Sequence, residues 1–176
     1  APLWPVEHPR LFCGPLESSV GTREYLGHPL LRDQGNSAYV RDTGRTEGSM
    51  LEWGYYEAQA PRLVDPADIG NPAKTQTSPS MRFLSLDEVS APLERAIETV
   101  PIFETLGWDE RVSFNGLLSV SVDNGSLVGE SPEVRGLWLC EAVWVKDGPG
   151  VARHCAEWIV EGKPQVDPNA MDIYRF

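Results

Sequence analysis

Met50-Leu51-Glu52-Trp53-Gly54-Tyr55-Tyr56, entered from Gly48, is the stretch on which the fold is decided. Three of its seven residues are aromatic, and a turn former precedes it, which is the chemistry of a half-buried β-strand. In such a strand successive side chains leave opposite faces, so the aromatic set Trp53, Tyr55 and Tyr56 divides between a core face and a face open to a pocket. Working outward, Ala38–Asp42 follows the turn pair Gly35-Asn36, and Arg10–Cys13 is a further β-prone run. Short strands separated by turn chemistry predict an antiparallel sheet.

Residues 61–79 hold four prolines and a Thr75-Gln76-Thr77-Ser78 tract, the profile of a long surface loop. Ser85-Leu86-Asp87-Glu88 has capping-box spacing, but Pro92 places the main helix from about Ser90, with Leu93, Ala96, Ile97 and Val100 as its buried stripe. Residues 112–122 and 137–145 are β-rich. The second run is apolar on both faces, so it reads as a central strand in mid-sheet. Gly148-Pro149-Gly150 then opens a helix that Gly162 stops, with Val151, Cys155 and Ile159 beside Ala152 and Ala156 on its apolar side. Strands first and helices late predict an α+β fold: a mostly antiparallel sheet with the helices near 90–100 and 149–161 on one side.

With 176 residues the chain can bury a substantial core, and 15 Lys and Arg against 26 Asp and Glu give a net charge of −11. That charge argues against nucleic acid or an anionic membrane as a partner. No apolar run reaches the length of a membrane span. Cys13, Cys140 and Cys155 form no CxxC pair, which reads as reduced thiols in a cytoplasmic setting. There is no GxGxxG, no GxxxxGKS, no HExxH and no GxSxG, so dinucleotide, P-loop, zinc and serine-hydrolase chemistry have no local signature, and no metal is expected. Among single residues, His8 before a strand and Tyr39 on one are the candidate proton-active groups. Arg41, Trp53, Tyr55 and Trp144 are the candidate substrate contacts.

From about Phe114 the chain resembles the dimethylglycine oxidase and sarcosine dehydrogenase branch of the FAD-dependent amine oxidoreductases. The segments that carry the resemblance are Phe114-Asn115-Gly116, Asp123-Asn124-Gly125, 127–136, 141–145, 156–160 with Gly162, and Asp172-Ile173-Tyr174-Arg175-Phe176. Upstream, Leu3 to Pro15 is similar to the strand bearing that family's His-Gln-Tyr motif, with Arg10 in place of the tyrosine, and Ala38-Tyr39-Val40-Arg41 is similar to the hairpin after it. The resemblance implies a substrate-binding region over 1–112 and, over 113–176, the last part of an FAD-binding domain. It also implies substrate positioning and proton handling by His8 and Tyr39.

The family's nucleotide-gripping βαβ unit has no counterpart here, and Lys146-Asp147-Gly148-Pro149 departs from the family's pattern near the flavin. FAD is therefore not expected on this chain alone; if a partner completes the fold, Gly148, Gly150 and Val151 are the candidate cofactor contacts. The first expectation is a truncated derivative doing flavin-independent acid/base chemistry on a small molecule: isomerisation, cyclisation or elimination. The alternative is the substrate-binding, flavin-capping part of an oxidoreductase completed by another chain or segment. A scaffold without catalysis is a third. In either of the first two, the surface that an FAD unit would cover predicts a homo-oligomer or a partner chain.

Overall fold

The computed structural model describes residues 2–16, 29–44, 48–56 and 61–176. His28 lies outside them. The eight strands are β1 (Leu3–Cys13), β2 (Leu31–Asp33), β3 (Ala38–Asp42), β4 (Leu51–Tyr55), β5 (Met81–Arg82), β6 (Phe114–Ser121), β7 (Leu127–Glu130) and β8 (Trp138–Glu141); the α-helices are α1 (Ser90–Thr99), α2 (Phe103–Leu106) and α3 (Gly148–Glu161). Six strands form one sheet in the order β2-β3-β4-β1-β6-β5, and β7 and β8 form a second, two-stranded sheet. The strands expected at 38–42 and 50–56 pair antiparallel, Val40 opposite Trp53 and Arg41 opposite Glu52, and β4 pairs antiparallel with β1, Leu11 opposite Trp53. The chain is α+β with a mostly antiparallel sheet. It divides into two compact units: Glu7–Leu117, and Ala1–Val6 with Leu118–Phe176.

In the unit Glu7–Leu117 the core forms on one face of β1, β3 and β4, because Leu11, Val40, Leu51, Trp53 and Tyr55 all leave the sheet on that side. A single turn of 3-10 helix over Asp87–Val89 precedes α1, and Leu93 and Ala96 are buried with Phe103 of α2 in the same core. Trp53 meets Phe103 edge-on, centroids 5.9 Å apart, the arrangement that ring quadrupoles favour. The proline-rich loop is tied back by Glu7, which pairs with Arg62 at 2.9 Å and Arg82 at 3.5 Å.

The unit made of Ala1–Val6 and Leu118–Phe176 departs from expectation in two places. The apolar run 137–145 is not a mid-sheet strand: only Trp138–Glu141 is extended, paired with β7 in the small sheet. At Ala142 the backbone turns left-handed (φ 52°), which ends the strand, and Val145 is left 95% exposed. Helix α3 begins and ends where expected, with Pro149 in its first turn and Gly162 in the left-handed conformation at its end. Its buried stripe is different: Val151, His154 and Cys155 face the β7–β8 hairpin with Trp158, while Ile159, Ala152 and Ala156 face outward. The aromatic rings of His154 and Trp158 pack against each other, 5.8 Å between centroids, and so take the i, i+3, i+4, i+7 positions that aliphatic side chains alone suggested otherwise.

Candidate functional site

The sheet face opposite the core is polar, and register decides which residues meet there. Arg10 and Tyr39 both stand opposite Gly54, and Arg41 stands opposite Glu52. Side chains at 8, 10, 39, 41, 52 and 56 therefore share this face. His8 Nε2 and the Tyr39 hydroxyl are 3.1 Å apart. The His8 ring stacks on Tyr56, centroids 4.6 Å apart and planes 20° from parallel, and Tyr39 approaches the same ring at 6.0 Å.

Gly54 makes this arrangement possible. A Cβ there would collide with Cζ and the hydroxyl of Tyr39, whose ring lies across the glycine. Gly54→Ala is expected to swing the phenol off His8 while leaving the opposite, core face untouched. The measurement is the His8 titration by NMR beside the melting curve: a moved imidazole signal with the melt nearly unchanged supports the geometry, and an unmoved signal contradicts it.

Beside the pair, Glu52 is 1% exposed and bridges two arginines. Arg10 donates to Oε1, and Arg41 donates through Nε and Nη2 to Oε2, each at 2.9 Å. A buried carboxylate persists only when paired in this way. The Arg10 guanidinium also lies 5.9 Å from the Phe114 ring centroid.

Burial first, then the positive charge of Arg10, pushes His8 down to about 4, so at neutral pH the imidazole is uncharged. Burial likewise pushes the Tyr39 hydroxyl up to about 12, so the phenol keeps its proton. The expectation of an imidazole titrating near neutrality is thereby corrected: at neutral pH the contact joins two uncharged groups. A stability consequence follows with a definite sign. The unfolded histidine takes up a proton near pH 6.5 and the folded one only near 4, so stability is lost as pH falls through that window, by up to about 3 kcal/mol. Urea unfolding at both ends of the window, compared between the wild type and His8→Gln, should show the variant losing less on acidification; equal losses would contradict the burial argument.

The remaining candidates separate. Arg41 is on the polar face, held by Glu52. Trp53 and Tyr55 are 1% and 2% exposed in the opposite, core face, because period-two alternation sends both away from His8. Tyr56, one residue on, is the aromatic of this strand that stands beside His8 and Tyr39. Glu52 and Gly54 lie outside the expected set, while Arg10 enters it only as the residue in place of the family's tyrosine and Tyr56 only within the aromatic set; Glu52 on an aromatic strand opposite Arg41 is the sequence signal that points to a paired, buried carboxylate.

Trp144 belongs to the unit made of Ala1–Val6 and Leu118–Phe176, where it lines a cleft of about 650 Å³ with Lys146, Gly150, Val151, His154 and the loop 124–126. That loop is pinned from the C-terminus: Arg175 grips Asp123 through Nε at 2.8 Å and Nη2 at 2.9 Å, and donates to the Ser126 carbonyl at 2.8 Å. This contact joins two of the segments that carry the family resemblance.

The cleft leaves the start of α3 accessible to a planar group such as a flavin ring. A Cβ at Gly148 or Gly150 would meet nothing within 4 Å, so a planar ring has room to reach the start of α3. Pro149 has no N–H, the Gly148 amide goes to the Val145 carbonyl and the Val151 amide to that of Asp147. The Gly150 amide and the Lys146 ammonium, paired at 2.6 Å with Asp147, are what the helix start offers an electron-rich ring edge. Of the expected cofactor contacts, Gly150 and Val151 line the cleft and Gly148 begins the helix beside it. Among the described residues no three His, Cys, Asp or Glu side chains gather to hold a metal ion, and no helix is long and apolar enough to cross a membrane.

No protein-family model matches the chain. It is 32% identical to mouse mitochondrial sarcosine dehydrogenase over 151 residues, 84% of this chain and 15% of that protein. It is 26% identical to mouse mitochondrial dimethylglycine dehydrogenase over 177 residues, 99% of this chain and 19% of that protein. Among solved structures it superposes on a thermally stable fructosyl peptide oxidase mutant with a TM-score of 0.65 at 14% identity, covering 98% of this chain and 41% of that one. The match thus spans a fifth or less of these two curated relatives and less than half of the solved structure. By sequence relatives and fold together, the chain is related to the dimethylglycine oxidase and sarcosine dehydrogenase branch of the FAD-dependent amine oxidoreductases, corresponding to its substrate-domain and C-terminal part.

Proposed function

We propose that this chain is the substrate-binding, flavin-capping part of an oxidoreductase acting on a small N-methyl amine, completed by another chain or segment that holds the nucleotide end of FAD. The observation that carries the reading is the His8–Tyr39 pair at 3.1 Å, seated over Gly54 and stacked on Tyr56. Both sequence relatives are dehydrogenases of N-methylated glycines, which supports redox chemistry over the flavin-independent isomerisation, cyclisation or elimination expected first; nothing found supports those.

When bound, FAD would supply the hydride acceptor, which no side chain can provide. The chain's own residues would do the rest. Tyr39, protonated, would donate a hydrogen bond to the substrate or to His8 Nε2. His8, uncharged, would hold the substrate's ammonium group by a hydrogen bond to a ring nitrogen, a positioning contact that its lowered pKa keeps neutral. Tyr56 would wall the position and the Arg10–Glu52–Arg41 cluster would supply a net positive charge beside it. At the helix start Lys146 and the Gly150 amide would face the ring edge. Hydride transfer and proton removal need water excluded, which fits a capping rather than a free-standing role.

The need for a completing half is supported by the unit made of Ala1–Val6 and Leu118–Phe176 taken by itself. Val145, Val160, Leu137, Ile159 and Val166 are all at least 48% exposed in it, against a core built on little more than Leu127, Val128, Val151 and Cys155. These are apolar side chains that a completing half could cover. The test is co-expression with the nucleotide-binding half of a sarcosine dehydrogenase followed by anaerobic mixing with sarcosine or dimethylglycine. Bleaching of bound flavin supports the reading; a flavin that stays oxidised with every N-methyl amine tried overturns it.

A further inference from the structure

Cys140 on β8 and Cys155 on α3 are brought together by the packing of the helix on its hairpin. Val128 stands directly opposite Cys140 in the β7–β8 ladder, and directly opposed side chains leave the same face of an antiparallel pair. Val128 is fully buried against Val151 and Cys155, so Cys140 leaves the hairpin on the side that α3 covers. Two residues earlier on that face, Trp138 meets Trp158 edge-on at 5.6 Å, and Trp158 follows Cys155 by one helical turn. The two rows are therefore in step, tryptophan on tryptophan and cysteine on cysteine.

We propose that Cys140 and Cys155 are a redox-active pair that closes to an intrachain disulfide when the chain meets a hydroperoxide. Cys140 is exposed and Cys155 buried, so the roles divide. The Cys140 thiolate attacks the peroxide O–O bond, forming a sulfenic acid and releasing water or an alcohol. Cys155 sulfur then attacks the Cys140 sulfur, the S–O bond breaks, and a second water leaves with the disulfide formed. Sulfur has been oxidised by two electrons and the peroxide reduced by two. Burial first, then the neighbouring Cys155, holds the Cys140 thiol above its usual range, so closure speeds up as pH rises. The bond would fix α3, whose residues Gly150, Val151 and His154 line the cleft, to β8. This proposal stands whether or not the chain works with a flavin.

The experiment treats the full chain with hydrogen peroxide at mildly alkaline pH, counts free thiols and maps the peptides by mass. The expected result is loss of two of the three thiols, a Cys140–Cys155 linked peptide, and full recovery with dithiothreitol. Cys13→Ser should leave this unchanged, and Cys155→Ser should abolish the linked peptide. By loop length, the oxidised chain should unfold with an equilibrium constant lower by about a hundredfold. The proposal is overturned if wild-type Cys140 accumulates oxygen while Cys155 stays a free thiol, or if Cys140 links instead to Cys13 or to a second chain.

Discussion

Tyr39→Phe and His8→Ala are each expected to lower turnover of the completed enzyme on an N-methyl amine by about two to four orders of magnitude, the usual worth of a placed proton donor or acceptor. The two groups touch, so their effects should not add: the double variant should be little worse than the poorer single one. Their protonation states also set the pH profile. With His8 pushed down to about 4 and Tyr39 up to about 12, the pair keeps one protonation state across the neutral range. Activity should therefore be limited by this pair only at the acid and alkaline extremes. Steady-state rates of both single variants and the double variant check this; full activity in both singles would remove the pair from the chemistry.

Trp53→Ala is expected to cost the fold about 3–5 kcal/mol, the largest stability effect of any substitution on the sheet. Trp53 is 1% exposed, lies across from Leu11 and Val40, and meets Phe103 edge-on. Truncating it leaves a cavity that a sheet on one side and helices on the other cannot close. Urea unfolding measures the loss, and Trp53→Phe should recover a good part of it. A cost below about 1 kcal/mol would mean that Trp53 faces a pocket after all, as the sequence reading expected.

That misassignment shows where sequence reasoning ran out. Alternation along 50–56 correctly divides the aromatic residues between two faces, but period two does not say which face is the core. The answer lay in Glu52: once it is paired with Arg41 across the ladder and with Arg10 diagonally, its face is the polar one and Trp53 and Tyr55 must point away. Strand pairing at 38–42 and 50–56, the helix from Ser90 and both ends of α3 were legible because turn residues, Pro149 and Gly162 act locally. The run 137–145 was not, because an apolar stretch reads as a covered strand wherever its cover comes from, and here the described residues pair only 138–141 of it. His8 and Tyr39 were found by resemblance, whereas their contact depends on a glycine three strands along the chain from His8, a property of register that no local motif records.

Whether this chain caps a flavin whose nucleotide end is held by another chain or segment is read from the visible absorption spectrum. The chain should be purified with added FAD, once alone and once co-expressed with the nucleotide-binding half of a sarcosine dehydrogenase. The expected result is a colourless chain alone and a flavin band near one per complex when the half is present. A near-stoichiometric flavin band on the chain alone, or no band in either preparation, would contradict it.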